Sequence, residues 1–113
     1  YGANIITTNE WQDIGTAALL KRIPDGGRYY LTIDADGLDP AVMPAVEGPQ
    51  PGGISYRQTI ELIQGLVGKG RLVGMDIVEI APARDVNDIT SMTAGHIILN
   101  VIGAAVRAGY FKR

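Results

Sequence analysis

The chain has 113 residues with 10 Lys and Arg against 12 Asp and Glu, a net charge of -2, 46% hydrophobic residues and no cysteine. That is one domain's length, too apolar for a disordered chain, and it carries no basic footprint for nucleic acid and no polybasic segment for anionic lipid. Cysteine absence is compatible with a cytoplasmic protein, no stretch approaches the 18 or more apolar residues of a membrane span, and the start is not a signal peptide, so neither nucleic acid nor membrane is expected as a partner.

The chain opens on Tyr1-Gly2 without Met, which reads as cut from something longer. Asn9 is placed to cap a first helix through Trp11, Ile14, Ala17, Ala18 and Leu20 to about Ile23, with Glu10 and Asp13 in its acid-favouring first turn. Pro24-Asp-Gly-Gly27 stops it. Tyr29 to Ile33 is an apolar run bounded by turn residues, which predicts a buried strand of a parallel sheet rather than a half-exposed one. From Ala35 to Gly53 four prolines and four glycines predict a long, shaped loop with neither helix nor strand. Ser55 is placed to cap a second helix with Ile60, Ile63, Leu66 and Val67 inward, ended by Gly68-Lys-Gly70. Leu72 to Val78 reads as a second buried strand, 81–87 as a loop, and from Thr90 to about Ala108 a last helix follows.

The order αβαβα implies right-handed crossovers onto a parallel sheet. Two strands alone leave edges unpaired, so the pattern reads as part of a larger sheet. In such sheets ligands sit beyond the carboxyl ends of the strands. Asp34 ends the first strand, Asp36 follows two residues on, and Glu79 lies just past the second, so the three are expected to converge on one pocket.

Residues two apart on a strand point the same way, so Asp34 and Asp36 can share cations. Two acids beside an apolar strand need a counter-charge, and carboxylate oxygens suit Mg²⁺, Ca²⁺ or Mn²⁺. The plain alternative is an Asx-type turn opened by Asp36 with Gly37, continued by Asp39-Pro40. Asp76, inside an apolar strand, needs a partner such as a backbone amide or an Arg. Arg84-Asp85 reads as a surface or intersubunit pair, Trp11 as a core or interface anchor, Lys112-Arg113 as an exposed tail, and the single histidine, His96, as a packing or surface residue.

Asp34-Ala-Asp-Gly-Leu-Asp-Pro40, the Pro-rich loop closing in Pro51-Gly-Gly-Ile-Ser55, and Gly74-Met-Asp-Ile-Val-Glu79-Ile-Ala-Pro82 together resemble the C-terminal part of the ureohydrolases, the arginase and agmatinase family. The resemblance covers essentially the whole chain and is most like an agmatinase. It implies a three-layer α/β/α fold with a parallel sheet, truncated here on its N-terminal side, residues 1–113 being the C-terminal segment of a single domain. It also implies two Mn²⁺ ions that activate water for attack on a guanidinium carbon, with release of urea. On that resemblance Asp34 and Asp36 are metal ligands and Glu79 holds the small guanidino substrate, agmatine before others, in a cytoplasmic homo-oligomer, a trimer or hexamer, of polyamine metabolism.

Two departures qualify these expectations. The family's upstream His and Asp ligands are missing here, so the isolated chain is expected to be inactive. Where many relatives carry Thr-Gly-Thr or Thr-Gly-Ser, this chain has Val46-Glu47-Gly48. Guanidinobutyrate is then an alternative substrate, and Glu47 is either a solvated loop acid or a group favouring the free amine of agmatine. The rival readings are a non-catalytic fragment or degenerate subunit with a structural or oligomerising role, and a single-zinc deacetylase-like amidohydrolase. The last would need Asp-x-His where Asp36 stands.

Overall fold

The computed structural model describes residues 2–112; Tyr1, where the chain opens, and Arg113, the end of the expected tail, lie outside them. Helix α1 spans Thr8–Lys21, strand β1 Arg28–Asp34, helix α2 Tyr56–Lys69, strand β2 Arg71–Val78 and helix α3 Ile89–Arg107, with short 3-10 turns at Ala35–Gly37 and Pro82–Arg84. The expected αβαβα order holds. β1 and β2 pair in parallel, Leu31 with Met75, Ile33 with Ile77 and Asp34 with Val78, after an irregularity between Tyr29 and Tyr30.

Helix ends follow local hydrogen-bonding chemistry. Ser55 and Gln58 form the reciprocal box in which the Gln58 N–H donates to Ser55 Oγ at 3.2 Å and the Ser55 N–H to Gln58 Oε1 at 3.0 Å. α1 starts earlier than expected, because Thr7 rather than Asn9 is the cap and accepts the Glu10 N–H at 3.1 Å. It is also interrupted at Gly15, whose φ of 76° leaves the helical region, and it ends at Lys21.

The core sits between the sheet and two helices. Ile33 with the half-buried Leu31, Met75 and Ile77 meets Ile63 of α2 and Ala94, Ile97 and Val101 of α3. α1 packs on α2, with a Leu20 methyl against Gly65 where any Cβ would collide. The second face of the strand pair is bare among the described residues: β1 alternates exposed and covered along its length, and Tyr30 is 59% exposed. The strand is therefore half-exposed here, against the expectation of a fully buried one, because no helix among the described residues reaches that face.

The long segment after β1 is also more structured than a bare loop. Met43 and Ala45 are fully buried and Val46 nearly so, while Leu38 pairs with Ile54 and Val46 with Ile80 as isolated bridges. Its apolar residues enter the core from the strand ends. α3 departs from expectation in another way: by length and composition it is apolar enough to cross a membrane, with a mean hydropathy of 1.5. Thr, Ser, His and Asn interrupt any continuous apolar run in it, yet no Asp, Glu, Lys or Arg occurs before Arg107. The same helix supplies Ala94, Ile97 and Val101 to the core, and a third of its most apolar window is buried.

Candidate functional site

The carboxyl ends of β1 and β2 lie side by side, since Asp34 is in register with Val78 and Glu79 is the next residue. The fold thus brings two of the three candidate acids to one sheet edge. Glu79 is exposed and is held at φ 63°, a left-handed conformation that costs a non-glycine residue energy and that clusters at functional sites. Among the described residues Glu79 forms no ion pair.

Asp34 and Asp36 are joined by a turn instead of by strand alternation. β1 ends at Asp34, the 3-10 turn begins at Ala35, and the Asp36 N–H donates to the Asp34 carboxylate at 2.9 Å. The Asx-type turn is therefore real, but Asp34 opens it rather than Asp36. The Asp36 carboxylate is turned toward the long loop: Oδ2 accepts the Gly48 N–H at 3.1 Å, and Oδ1 is buried with no hydrogen-bond partner. A buried ionised oxygen without a donor is expensive unless a cation meets it. Asp36 therefore suits a hard metal ion, and the exposed Asp34 carboxylate lies beside it in the same turn.

No group of three or more metal-donor side chains occurs among the described residues, so these two acids by themselves could fill only part of a coordination shell. His96 does not complete it. It is exposed on α3 and lines a hollow with Ala41, Val42, Tyr56, Ile89 and Thr93. Nor do the three acids share one pocket. The cavity that Asp34 lines, about 190 Å³, is walled mainly by Trp11, Leu31, Ile33, Leu38 and Ile63 and includes neither Asp36 nor Glu79.

The loop that approaches Asp36 is fixed by Asp39. Its Oδ1 accepts the Ala41 N–H and its Oδ2 the Gly52 N–H, both at 2.9 Å, and these bonds, Ala41's first, hold its carboxyl below the usual range. The motif Pro51-Gly-Gly53 is explained here. Gly52 has φ 82°, and a Cβ on Gly53 would stand 2.6 Å from the Asp39 nitrogen and the Leu38 carbonyl carbon. The segment 45–48 then crosses to the other strand end: the Ala81 N–H donates to the Ala45 carbonyl at 2.9 Å beside the Val46–Ile80 bridge. The Ala45 N–H donates in turn to the fully buried Thr90 hydroxyl at 2.9 Å.

Four other readings are sharpened or corrected. Asp85 does not pair with Arg84; it accepts the Thr90 and Ser91 N–H groups at 3.0 and 2.8 Å and so caps α3. Desolvation raises its pKa, but the bonds from Thr90 and Ser91 outweigh this and bring it to about 2. Arg84 instead reaches Glu47, at 3.1 Å across loops far apart in sequence. Asp76 is satisfied on one oxygen by the Tyr30 hydroxyl at 3.1 Å, a donor not anticipated, and its other oxygen is buried without a partner. Trp11 is a core anchor, its indole N–H donating to Thr16 Oγ1 at 3.0 Å.

Comparison with known proteins meets this geometry from outside. A family model described as "Arginase family" matches residues 1–103. The putative agmatinase 1 of Schizosaccharomyces pombe is 40% identical over 98% of this chain and 29% of its own length. The N(1)-aminopropylagmatine ureohydrolase of Thermus thermophilus is 39% identical over 78% of this chain and 30% of its own length. Among solved structures, a hypothetical agmatinase from Burkholderia thailandensis superposes with a TM-score of 0.82 at 37% identity, over 91% of this chain and 33% of that one. The chain thus spans about a third or less of each of these relatives, and its strand pair and helices are a portion of their α/β fold. On the family match, the identities and the shared fold together, the chain belongs to the arginase family.

Proposed function

We propose that residues 1–113 are a segment of one ureohydrolase domain, and that the protein they belong to hydrolyses a guanidino compound, agmatine first, to an amine and urea. The observation that carries this reading is the placement of Asp34, Asp36 and Glu79 at the adjoining carboxyl ends of parallel strands, with one Asp36 oxygen buried and unpartnered. The names of the relatives, agmatinases and an aminopropylagmatine ureohydrolase, support the substrate class.

In this proposal Asp34 and Asp36 hold divalent metal, Mn²⁺ by preference, together with ligands from outside these residues. The metal, when bound, supplies a water of lowered pKa near neutral pH. Glu79 accepts two parallel N–H bonds from the planar guanidinium, which fixes the orientation of its carbon and favours the geometry of attack. The turn from Asp34 and the Gly48 contact keep Asp36 from swinging away when charge at the site changes. Two carboxylates leave most coordination positions to water, so the isolated chain is proposed to bind Mn²⁺ weakly and to be inactive. A cytoplasmic homo-oligomer is part of the same proposal; Leu99 and Met92 on α3 are 63% and 55% exposed, which suits a helix with a further partner.

The test is urea release from agmatine, arginine and guanidinobutyrate by the full-length protein before and after chelation and Mn²⁺ return, with the 113-residue chain assayed beside it. Urea from no guanidino compound at any Mn²⁺ concentration rejects the reading and leaves the structural-subunit alternative. Turnover by the short chain equal to the full-length rate rejects its incompleteness.

A further inference from the structure

We infer that Glu47 is a second substrate-binding carboxylate that reads a cationic group at the far end of the guanidino substrate, and that Arg84 occupies it until substrate arrives. This rests on the reading of Glu79 above and extends it. The antiparallel bridge pairs Val46 with Ile80, and the Ala81–Ala45 bond lies on one side of it. On the other side the flanking residues are Glu47 and Glu79. Register thus sets Glu47 and Glu79 on adjoining segments, and at φ 63° Glu79 leaves the extended backbone of a regular pair. Both are long, exposed side chains that can splay to the span of a substrate whose two charged ends are joined by a few methylenes.

Two carboxylates set side by side repel unless cations lie between or beside them. Glu47 has one in Arg84, at 3.1 Å, with the two side chains 60% and 58% exposed. Glu79 has none among the described residues. An ion pair this exposed is weak and readily exchanged. The rim therefore presents two acids and one displaceable base, which is complementary to a dication with a guanidinium at one end and an ammonium at the other. A guanidino acid would bring its carboxylate against Glu47. Arg84 is the less suited reader, because it sits in the Pro82–Arg84 turn, five residues past Glu79, whereas Glu47 is Glu79's neighbour across the bridge.

The test compares agmatine, guanidinobutyrate and pentylguanidine, which puts a methyl in place of the amine, on full-length wild-type protein and the Glu47→Gln and Arg84→Gln variants. Steady-state urea release gives kcat and KM separately, and calorimetric titration gives binding whether or not turnover occurs. Glu47→Gln is expected to raise the KM and Kd for agmatine about tenfold with little change in kcat, and to leave pentylguanidine unchanged. Arg84→Gln is expected to bind agmatine at least as well as wild type. Equal effects of Glu47→Gln on agmatine and pentylguanidine overturn the inference, as does a preference for guanidinobutyrate that Arg84→Gln abolishes. Absence of urea from every guanidine rejects the hydrolase reading instead, and the titration still decides whether Glu47 distinguishes the charged tail.

Discussion

Gly48 donates its backbone N–H to the Asp36 carboxylate at 3.1 Å, and a Cβ built on Gly48 would stand 3.0 Å from the same oxygen. One oxygen of Asp36 is thus committed to the loop, and the other, buried and without a hydrogen-bond partner, is the one proposed to meet a cation. Asp36→Asn keeps an oxygen for Gly48 while removing the charge. It is expected to weaken Mn²⁺ binding by the full-length protein about tenfold or more without unfolding it, since a neutral amide oxygen holds a hard divalent cation less strongly than a carboxylate does. Electron paramagnetic resonance of free Mn²⁺ during titration measures this; affinity equal to wild type would remove Asp36 from the ligand set.

Gly53 tests the packing of the loop against the end of β1. Backbone atoms of Leu38 and Asp39 lie 2.6 Å from where an alanine methyl would stand, so Gly53→Ala has no flexible side chain to push aside. The substitution is expected to destabilise by about 1–3 kcal/mol, read as a lower urea midpoint. Gly68→Ala, where a Cβ meets nothing within 4 Å and the residue lies in α2, is the matched control and is expected to be neutral or stabilising.

Thr90 is fully buried and its hydroxyl is the acceptor for the Ala45 N–H. Thr90→Val keeps the shape and strands that donor, which should cost about 1–3 kcal/mol. Thr90→Ser retains the hydroxyl and should restore the hydrogen bond, so amide exchange at Ala45 should be fast in the valine variant and slow in the serine one.

The acid limb of stability should report Asp85. Its folded pKa of about 2 lies below the ordinary 3.8. The unfolded state therefore takes up the proton first as pH falls, and the contribution is present in full above about pH 4 and lost between there and about pH 2. Asp85→Asn cannot titrate, so the difference in urea midpoint between wild type and variant should shrink across that window. A difference independent of pH would show that the α3 cap does not depend on charge.

Much of this was legible in the chain. Ser55 and Gln58 announce a helix start by spacing alone, and the apolar runs ending in Asp34 and Val78 locate both strands, because these signals are local. Thr7 with Glu10 is the same kind of signal; Asn9 is a good cap residue too, and the two compete within one turn. The exposure of Tyr30 was not legible, because hydrophobic pattern reports what a strand is suited to face and not whether this stretch supplies the covering layer. The partners of Glu47, Asp36 and Asp76 depend on register between segments far apart in sequence, which no local pattern encodes. Neighbouring charges misled for the same reason: Arg84 and Asp85 are adjacent in sequence, yet one crosses to a loop and the other turns to a helix end.

Glu79 shows where folding and chemistry pull in opposite directions. At φ 63° glycine would be at ease, and a glutamate there costs about 1 kcal/mol more. Selecting variants for heat resistance alone would therefore favour Glu79→Gly, and the more robust protein would have lost the acid proposed above to hold the substrate guanidinium. On that proposal a stability–activity trade-off is built into a single backbone torsion, and engineering for robustness should leave position 79 untouched and look to helix faces instead.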